Sequence, residues 1–202
     1  MPKLLEHDRV LQAAALGKAA RASLKAQKPA CLWMTGLSGA GKSTVAGLLE
    51  KRLHRLGYHT YVLDGDKLRD GLCADLGFSD ADRVEQIRRV YETARMMVDA
   101  GLIVIVAVIS PFENERKKAR SSFEAGEFIE VYIDTPLSTC ERRDIKGLYR
   151  RARQNQIPNF TGISSPYERP AAPEITLHCG AESADQSVEH LVTAIRELQI
   201  IS

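Results

Sequence analysis

Gly36-Leu-Ser-Gly-Ala-Gly41-Lys42-Ser43-Thr44 stands between two apolar segments of different period. Before it, Cys31 to Met34 is a short continuous apolar run, expected of a buried strand. After it, Val45, Leu48, Leu49, Leu53 and Leu56 recur three and four residues apart, predicting a helix from Ser43 to Leu56 that Gly57 ends. Glycines at Gly36, Gly39 and Gly41, with a Lys-Ser pair opening the helix, match G-x-x-x-x-G-K-[ST] in the right strand–turn–helix context. The glycines let successive backbone N–H groups turn inward around phosphate oxygens, and the helix points its positive end at the same anion. Leu37, Ser38, Ala40 and Thr44 complete this cradle. Lys42 is placed for β- and γ-phosphates of ATP, and the Ser43 hydroxyl for Mg²⁺. The alternative is a glycine-rich turn with an exposed lysine.

Outward from this loop, strands and helices alternate. Thr60 to Leu63 reads as a second strand, Asp80 to Ala100 as a long charged helix, and Leu102 to Ile109 as a Val/Ile-rich strand buried on both faces. Pro111 to Glu124 reads as helical, Phe128 to Ile133 as a fourth strand, and Thr139 to Arg153 as one or two short helices. Asn155 to Pro173 is loop, Ile175 to His178 a fifth strand, and Ser187 to Leu198 a closing helix. The fold class is therefore α/β, a five-stranded mainly parallel sheet with helices on both faces. Ligands bind such sheets beyond the carboxyl ends of the strands. Residues 1–28 are expected to be a helix or loosely attached arm, and 29–202 one phosphate-loop domain with a lid at about 142–168.

Composition narrows the classes. A net charge of +2 over 202 residues excludes a whole-protein field of the kind that marks nucleic-acid binders. Cys31, Cys73, Cys140 and Cys179 show no zinc spacing and read as reduced thiols. The longest apolar run, Leu102 to Ile109, is too short to span a membrane, so neither nucleic acid nor membrane is an expected partner. Glu6, His7, Asp8 and Arg9 interrupt any signal-peptide core.

Charges suggest the rest of the site. The Leu102–Ile109 strand ends in Ser110-Pro111 with no carboxylate, so the metal-facing acid falls to Asp66 in Leu63-Asp64-Gly65-Asp66. Asp66 is expected to help hold hydrated Mg²⁺ and to accept a hydrogen bond from an attacking hydroxyl. Alternatively the Asp-Gly-Asp is only a turn with solvated acids. Arg142, Arg143, Lys146, Arg150, Arg151 and Arg153, against Asp144 alone, form either a solvated helix face or a cationic flap over phosphates. There is no N-K-x-D guanine-reading motif. A small phosphate-loop protein with a cationic flap suits phosphoryl transfer to a small acceptor, which needs positioned cations and water exclusion.

Further signatures follow in order: Asp75-Leu-Gly-Phe-Ser-Asp-Ala-Asp-Arg-Val-Glu85, Ile109-Ser-Pro-Phe112, Gly126-Glu-Phe-Ile-Glu-Val131, Lys146-Gly-Leu-Tyr149, Phe160-Thr-Gly-Ile163 and Ser165-Pro-Tyr-Glu168. With the phosphate loop and Leu63–Asp66, the stretch from about Pro29 to Cys179 resembles the adenylyl-sulfate kinases. The resemblance implies a P-loop kinase fold. It also implies transfer of the γ-phosphoryl of ATP to the 3′-hydroxyl of adenosine 5′-phosphosulfate (APS), with Mg²⁺, in cytoplasmic sulfate assimilation, commonly by a homodimer. It implies that Phe78 stacks on the acceptor adenine, with Asn159 and Phe160 on the other side. Arg69 and Arg83 would take the phosphosulfate, with Gln86 beside them, and Ile109 and Ser110 would line the acceptor pocket. Lys146 would reach the bridging phosphates and Leu148 would pack near the acceptor base. Arg143 and, more weakly, Cys179 would meet the ATP adenine. A phosphorylated intermediate on Ser110 is not expected, since in-line transfer needs no enzyme nucleophile and no base adjoins it in sequence. Gln86 and Lys67 stand where the family usually has Asn. Some members are fused to a sulfurylase; this chain has no room for one, and is expected to be free-standing or cut from a larger protein and to work beside an ATP sulfurylase.

Overall fold

The structure, a computed structural model, describes residues 16–202. Its strands are β1 (Ala30–Thr35), β2 (Thr60–Asp64), β3 (Ile103–Ala107), β4 (Phe128–Ile133) and β5 (Ile175–Leu177). Its helices are α1 (Lys18–Ser23), α2 (Lys42–Arg55), α3 (Gly65–Arg69), α4 (Asp80–Asp99), α5 (Glu113–Ser121), α6 (Leu137–Arg143), α7 (Leu148–Arg153) and α8 (Ala184–Glu197). All strand pairs are parallel, in the order β2-β3-β1-β4-β5. The chain runs out from β1 to β2, returns to β3, then crosses to β4 on the other side of β1. The carboxyl end of β1 is thus the point where the winding reverses, where this architecture forms its crevice.

Period-two alternation along the central strands divides the core. Leu32 and Met34 of β1, Ile103 and Ile105 of β3, and Ile129, Val131 and Ile133 of β4 face one side, packed with Val45, Leu49 and Leu53 of α2 and Leu191 and Ile195 of α8. Cys31, Trp33, Val104, Val106 and Phe128 face the other, against Ile87, Val90, Ala94 and Val98 of α4 and Ala119 of α5. Burial on both faces is why β1 and β3 read as unbroken apolar runs. All four cysteines are buried free thiols. Two capping boxes start the long helices: Ser79 with Asp82 for α4, and Ser183 with Gln186 for α8.

Most of the expected elements appear. The helix expected at Ser187–Leu198 begins three residues earlier, at Ala184, next to its Ser183 cap. The short α3 was not expected: the Asp64 side chain accepts from the Asp66 N–H and starts a single turn there. The first fifteen residues of the expected N-terminal arm lie outside the described residues. The rest of the arm is fastened to the body, Lys18 to Glu124 and Glu127, Arg21 to Asp99, and Gln27 to His59 and Gly101.

One buried ion pair fixes the loop after β3. The Arg116 guanidinium donates to Glu130 (2.8 Å), to the Ser110 carbonyl (2.8 Å) and to the Glu168 carbonyl (2.8 Å), and its side chain is 2% exposed. It thereby joins α5, β4, the β3 exit and the 160s loop. We expect Arg116→Met, which leaves Glu130 only its longer contact to Arg120 (3.5 Å) and takes the donor from two carbonyls, to lower unfolding free energy by about 3–5 kcal/mol in urea titrations. Adding Glu130→Leu should recover most of that loss; a double variant no more stable than the single one would contradict this account.

Candidate active site

The turn from β1 into α2 is held by its carbonyls. Lys42 Nζ donates to the Gly36 and Leu37 carbonyls (2.8 Å each). The Tyr149 hydroxyl donates to the Ser38 carbonyl (2.9 Å), Arg143 to those of Gly39 (3.4 Å) and Ala40 (3.2 Å), and Thr135 Oγ1 also to Ala40 (2.8 Å). Every carbonyl from Gly36 to Ala40 is engaged; the Ala40 N–H closes a turn onto the Leu37 carbonyl (3.2 Å), and the loop's other N–H groups are left for an anion. Gly36 (φ 154°), Gly39 (φ 71°) and Gly41 (φ 117°) supply the backbone shape. Ser43 and Thr44 are exposed in the first turn of α2.

Lys42 is only 8% exposed. Burial draws its ammonium down from 10.5 to about 8, opposed in part by Cys140 and by attraction to Asp64 and Asp66. That attraction puts both carboxylates of the β2 exit near the lysine. Asp66 is exposed and pairs with Lys146. So the β1, β2 and α6–α7 segments converge on one place.

The basic stretch divides between its two readings. Arg143 Nη2 donates to the Cys179 carbonyl (2.6 Å), and Arg143 and Cys179 line a cavity of about 190 Å³ with Gly39, Gly41, Thr44 and Val45. Lys146 also faces the site. Arg142 donates to Thr139 and Arg153 pairs with Glu141 on the outside, and Arg150 and Arg151 are exposed. The segment expected as a lid is partly core: Tyr149, Ala152 and Phe160 are buried, and Leu148 packs against them.

On the acceptor side, Arg69 lies over the Phe78 ring (4.3 Å to its centroid) and donates to Gln86 Oε1 (2.6 Å) and to the Gly77 carbonyl (2.9 Å). Phe78 is 59% exposed. Phe160 differs from the expected sandwich: its ring is buried and edge-on to Tyr149 (5.0 Å), because the 160s loop packs into the core. Arg83 also differs from a free anion ligand. It is buried and donates to the Phe78 carbonyl (3.1 Å), Thr161 Oγ1 (2.7 Å) and the Asn159 carbonyl (2.6 Å), tying the start of α4 to the 160s loop. Asn159 is exposed at φ 54°.

Ile109 is half-buried, and its carbonyl accepts from Thr35 Oγ1 (2.7 Å). Ser110 sits at φ 40°, is 1% exposed, and its Oγ accepts from Trp33 Nε1 (3.1 Å). A hydroxyl turned into the core beside an indole is a poor nucleophile. Sequence reasoning gave no site role to Thr35, Thr135, Thr161 or Tyr149. Their hydrogen bonds, donated by Thr35, Thr135 and Tyr149 and accepted by Thr161, act across long chain separations, which no local spacing encodes.

The sequence profile described as adenylylsulphate kinase matches residues 28–178. The chain belongs to the adenylylsulphate kinase family. An adenylyl-sulfate kinase of Vibrio parahaemolyticus serotype O3:K6 is 58% identical over 182 residues, 90% of this chain and 89% of that one. The bifunctional enzyme NodQ of Rhizobium sp. (strain N33) is 57% identical over 92% of this chain but only 29% of its own length. The solved structure of the Mycobacterium tuberculosis APS kinase CysC in complex with AMPPNP and APS superposes with a TM-score of 0.81 at 48% identity, over 84% of this chain and 99% of that one. The gluconokinase of Sinorhizobium meliloti 1021, at 17% identity and TM-score 0.54, shares the fold with this adenylylsulphate kinase family member.

Two predictions follow from this geometry. Phosphate charge should restore the proton that burial weakens on Lys42, so ATP binding at about pH 8.5 should take up protons, measurable by calorimetry in buffers of different ionisation enthalpy. Lys42→Met should abolish the uptake, and a buffer-independent wild-type heat would refute it. The same shift makes the folded state bind fewer protons than the unfolded one between about pH 8 and 10.5, so the burial cost of Lys42 is full below pH 8 and fades as pH rises. Ser110→Ala should keep kcat within about threefold while losing roughly 1 kcal/mol of stability with the Trp33 bond; a folded, ATP-binding but inactive variant would reverse the reading of Ser110.

Proposed function

We infer that this chain carries out the reaction for which its family is named: it transfers the γ-phosphoryl of ATP to the 3′-hydroxyl of APS, giving 3′-phosphoadenosine 5′-phosphosulfate and ADP. The observation that carries the reading is the convergence of Lys42, Asp66 and Lys146 beside a loop whose carbonyls are all engaged and most of whose N–H groups are left for phosphate.

The phosphate loop and Lys42 hold the β- and γ-phosphates, with Arg143 and the Cys179 segment at the base of ATP. Phe78 stacks on the acceptor adenine, and Arg69, beside that ring, meets the phosphosulfate. Arg83 and Gln86 act from behind: Gln86 orients Arg69, and Arg83 holds the loop that carries Asn159 and Phe160. Asp66 accepts the hydrogen bond of the 3′-hydroxyl. As the new O3′–P bond forms in line, the bond from the γ-phosphorus to the bridging oxygen breaks, and its electron pair leaves with ADP. The hydroxyl proton passes to Asp66 and then to solvent.

The donor set fits Mg²⁺: an exposed serine hydroxyl, an exposed carboxylate, and phosphate oxygens brought by the substrate, with water completing six positions. Ser43 and Asp66 would hold it, and when bound it would neutralise charge on the transferring phosphoryl. No helix among the described residues is long and apolar enough to cross a membrane. The resemblance to sulfate-assimilation enzymes supports a cytoplasmic homodimer fed by an ATP sulfurylase. An APS kinase of Thiobacillus denitrificans is described as hexameric, which supports assembly of some order.

An acceptor screen tests the reading. Purified protein with Mg-ATP and a coupled ADP readout should release ADP with APS and not with AMP, adenosine, gluconate or shikimate. Lys42→Ala should abolish turnover, and Asp66→Ala should reduce it by about 10²–10⁴-fold, the range for loss of a general base. ADP release with a different acceptor would leave the fold and phosphate loop standing and overturn the acceptor assignment.

A further inference from the structure

Tyr149 closes the run Lys146-Gly-Leu-Tyr149, yet none of the roles above uses it. Its side chain and backbone together make three contacts. The hydroxyl donates to the Ser38 carbonyl at the tip of the phosphate loop (2.9 Å, 111 residues apart in sequence). The ring receives Phe160 edge-on at 5.0 Å, with planes 78° apart. Its backbone N–H and that of Arg150 donate to the two carboxylate oxygens of Asp144 (2.9 and 3.0 Å), which fixes the start of α7. Asp144 holds an unusual φ of 21° to do so. The residue is 2% exposed, and burial pushes the phenol's pKa up, so it stays a donor across the working range.

Two other donors to the loop each span several oxygens, Lys42 those of Gly36 and Leu37, and Arg143 those of Gly39, Ala40 and Cys179, while Thr135 holds Ala40 from the β4 exit. The phenol reaches a different loop carbonyl, that of Ser38, from a ring clamped in the core beside the Phe160 loop. It therefore transmits the position of the Phe160 loop to the loop that holds the donor phosphates.

We propose that Tyr149 is a positioning residue for phosphoryl transfer, fixing the phosphate loop relative to the acceptor-side loop of Phe160 without touching either substrate. This rests on the reading above that the Phe160 loop serves the acceptor. Its removal acts on alignment in the ternary complex, where small displacements of the reacting atoms are costly, and leaves each binary affinity almost unchanged.

Tyr149→Phe deletes the one hydroxyl and keeps the ring contact with Phe160. We expect the variant to fold, to bind AMPPNP and APS singly within about twofold of wild type by calorimetry, and to lose roughly tenfold in kcat at saturating substrates. An unchanged kcat would overturn the proposal, as would a fall in kcat matched by an equal loss of AMPPNP affinity, which would make Tyr149 a nucleotide-binding residue. Should Tyr149→Phe not fold, Asp144→Asn loosens the ring's seat and leaves the phenol intact. A kcat loss of about threefold with intact binary affinities would support the proposal, and unaltered kcat would overturn it. Wild-type protein inactive on APS would defeat the functional reading itself, whereas active wild type with an indifferent Tyr149→Phe defeats this inference alone.

Discussion

A Cβ at Gly36 would lie 2.8 Å from the Ile133 carbonyl. That close approach is what lets the chain leave β1, pass against the end of β4 and enter α2 with its carbonyls outward. Once the carbonyls of Gly36 to Ala40 are directed away from the helix start, each needs a donor, since a buried main-chain oxygen without one is costly. The donors come from Lys42 in α2, Arg143 at the end of α6, Thr135 after β4 and Tyr149 in α7. The requirement to satisfy one short turn thus fixes where three later segments of the chain must lie.

The same requirement shapes the electrostatics. Lys42 is buried against neutral carbonyls, not against a carboxylate, so its charge is desolvated but not cancelled. Asp64 and Asp66 support the ammonium from a distance. Arg143 and Arg69 likewise donate to main-chain carbonyls. Dipoles partner these cations well enough to hold them in place, yet leave a positive potential that a polyanionic donor and an anionic acceptor can neutralise.

Much of this could be read from the sequence because its signals are local. The Gly36–Ser43 turn, the α2 stripe and the Val/Ile run of β3 each follow from spacing within a dozen residues. The roles of Arg83 and Phe160 were harder to read. An arginine near Phe78 suggests an anion ligand, but its guanidinium is spent on Thr161 and Asn159, and that depends on how the 160s loop returns to α4. Phe160 looks like a free aromatic until Tyr149 is placed against it. Ser110 is similar: at the end of a strand it looks available, and only the Trp33 indole on the neighbouring strand reveals that its hydroxyl points inward. Strand register and loop return are decided by global packing, so residues whose partners lie across those contacts keep their function hidden in a linear reading.

Lys146 is the exception among the cations, since its partner is the carboxylate of Asp66. Both groups are largely exposed, and an ion pair of that kind contributes little to stability. Its weakness suits its place. In the function proposed above, a bare carboxylate next to the γ-phosphate would repel the donor, and a cation beside it removes that repulsion. On that proposal, Asp66 exchanges a cheap surface contact for a hydrogen bond to the attacking oxygen when an acceptor hydroxyl arrives, and Lys146 turns to the phosphates. A buried, fully desolvated pair at the same position would resist that exchange by several kcal/mol. The firm contacts in this site are therefore those that set the loop's shape, and the loose one lies where the chemistry must trade partners.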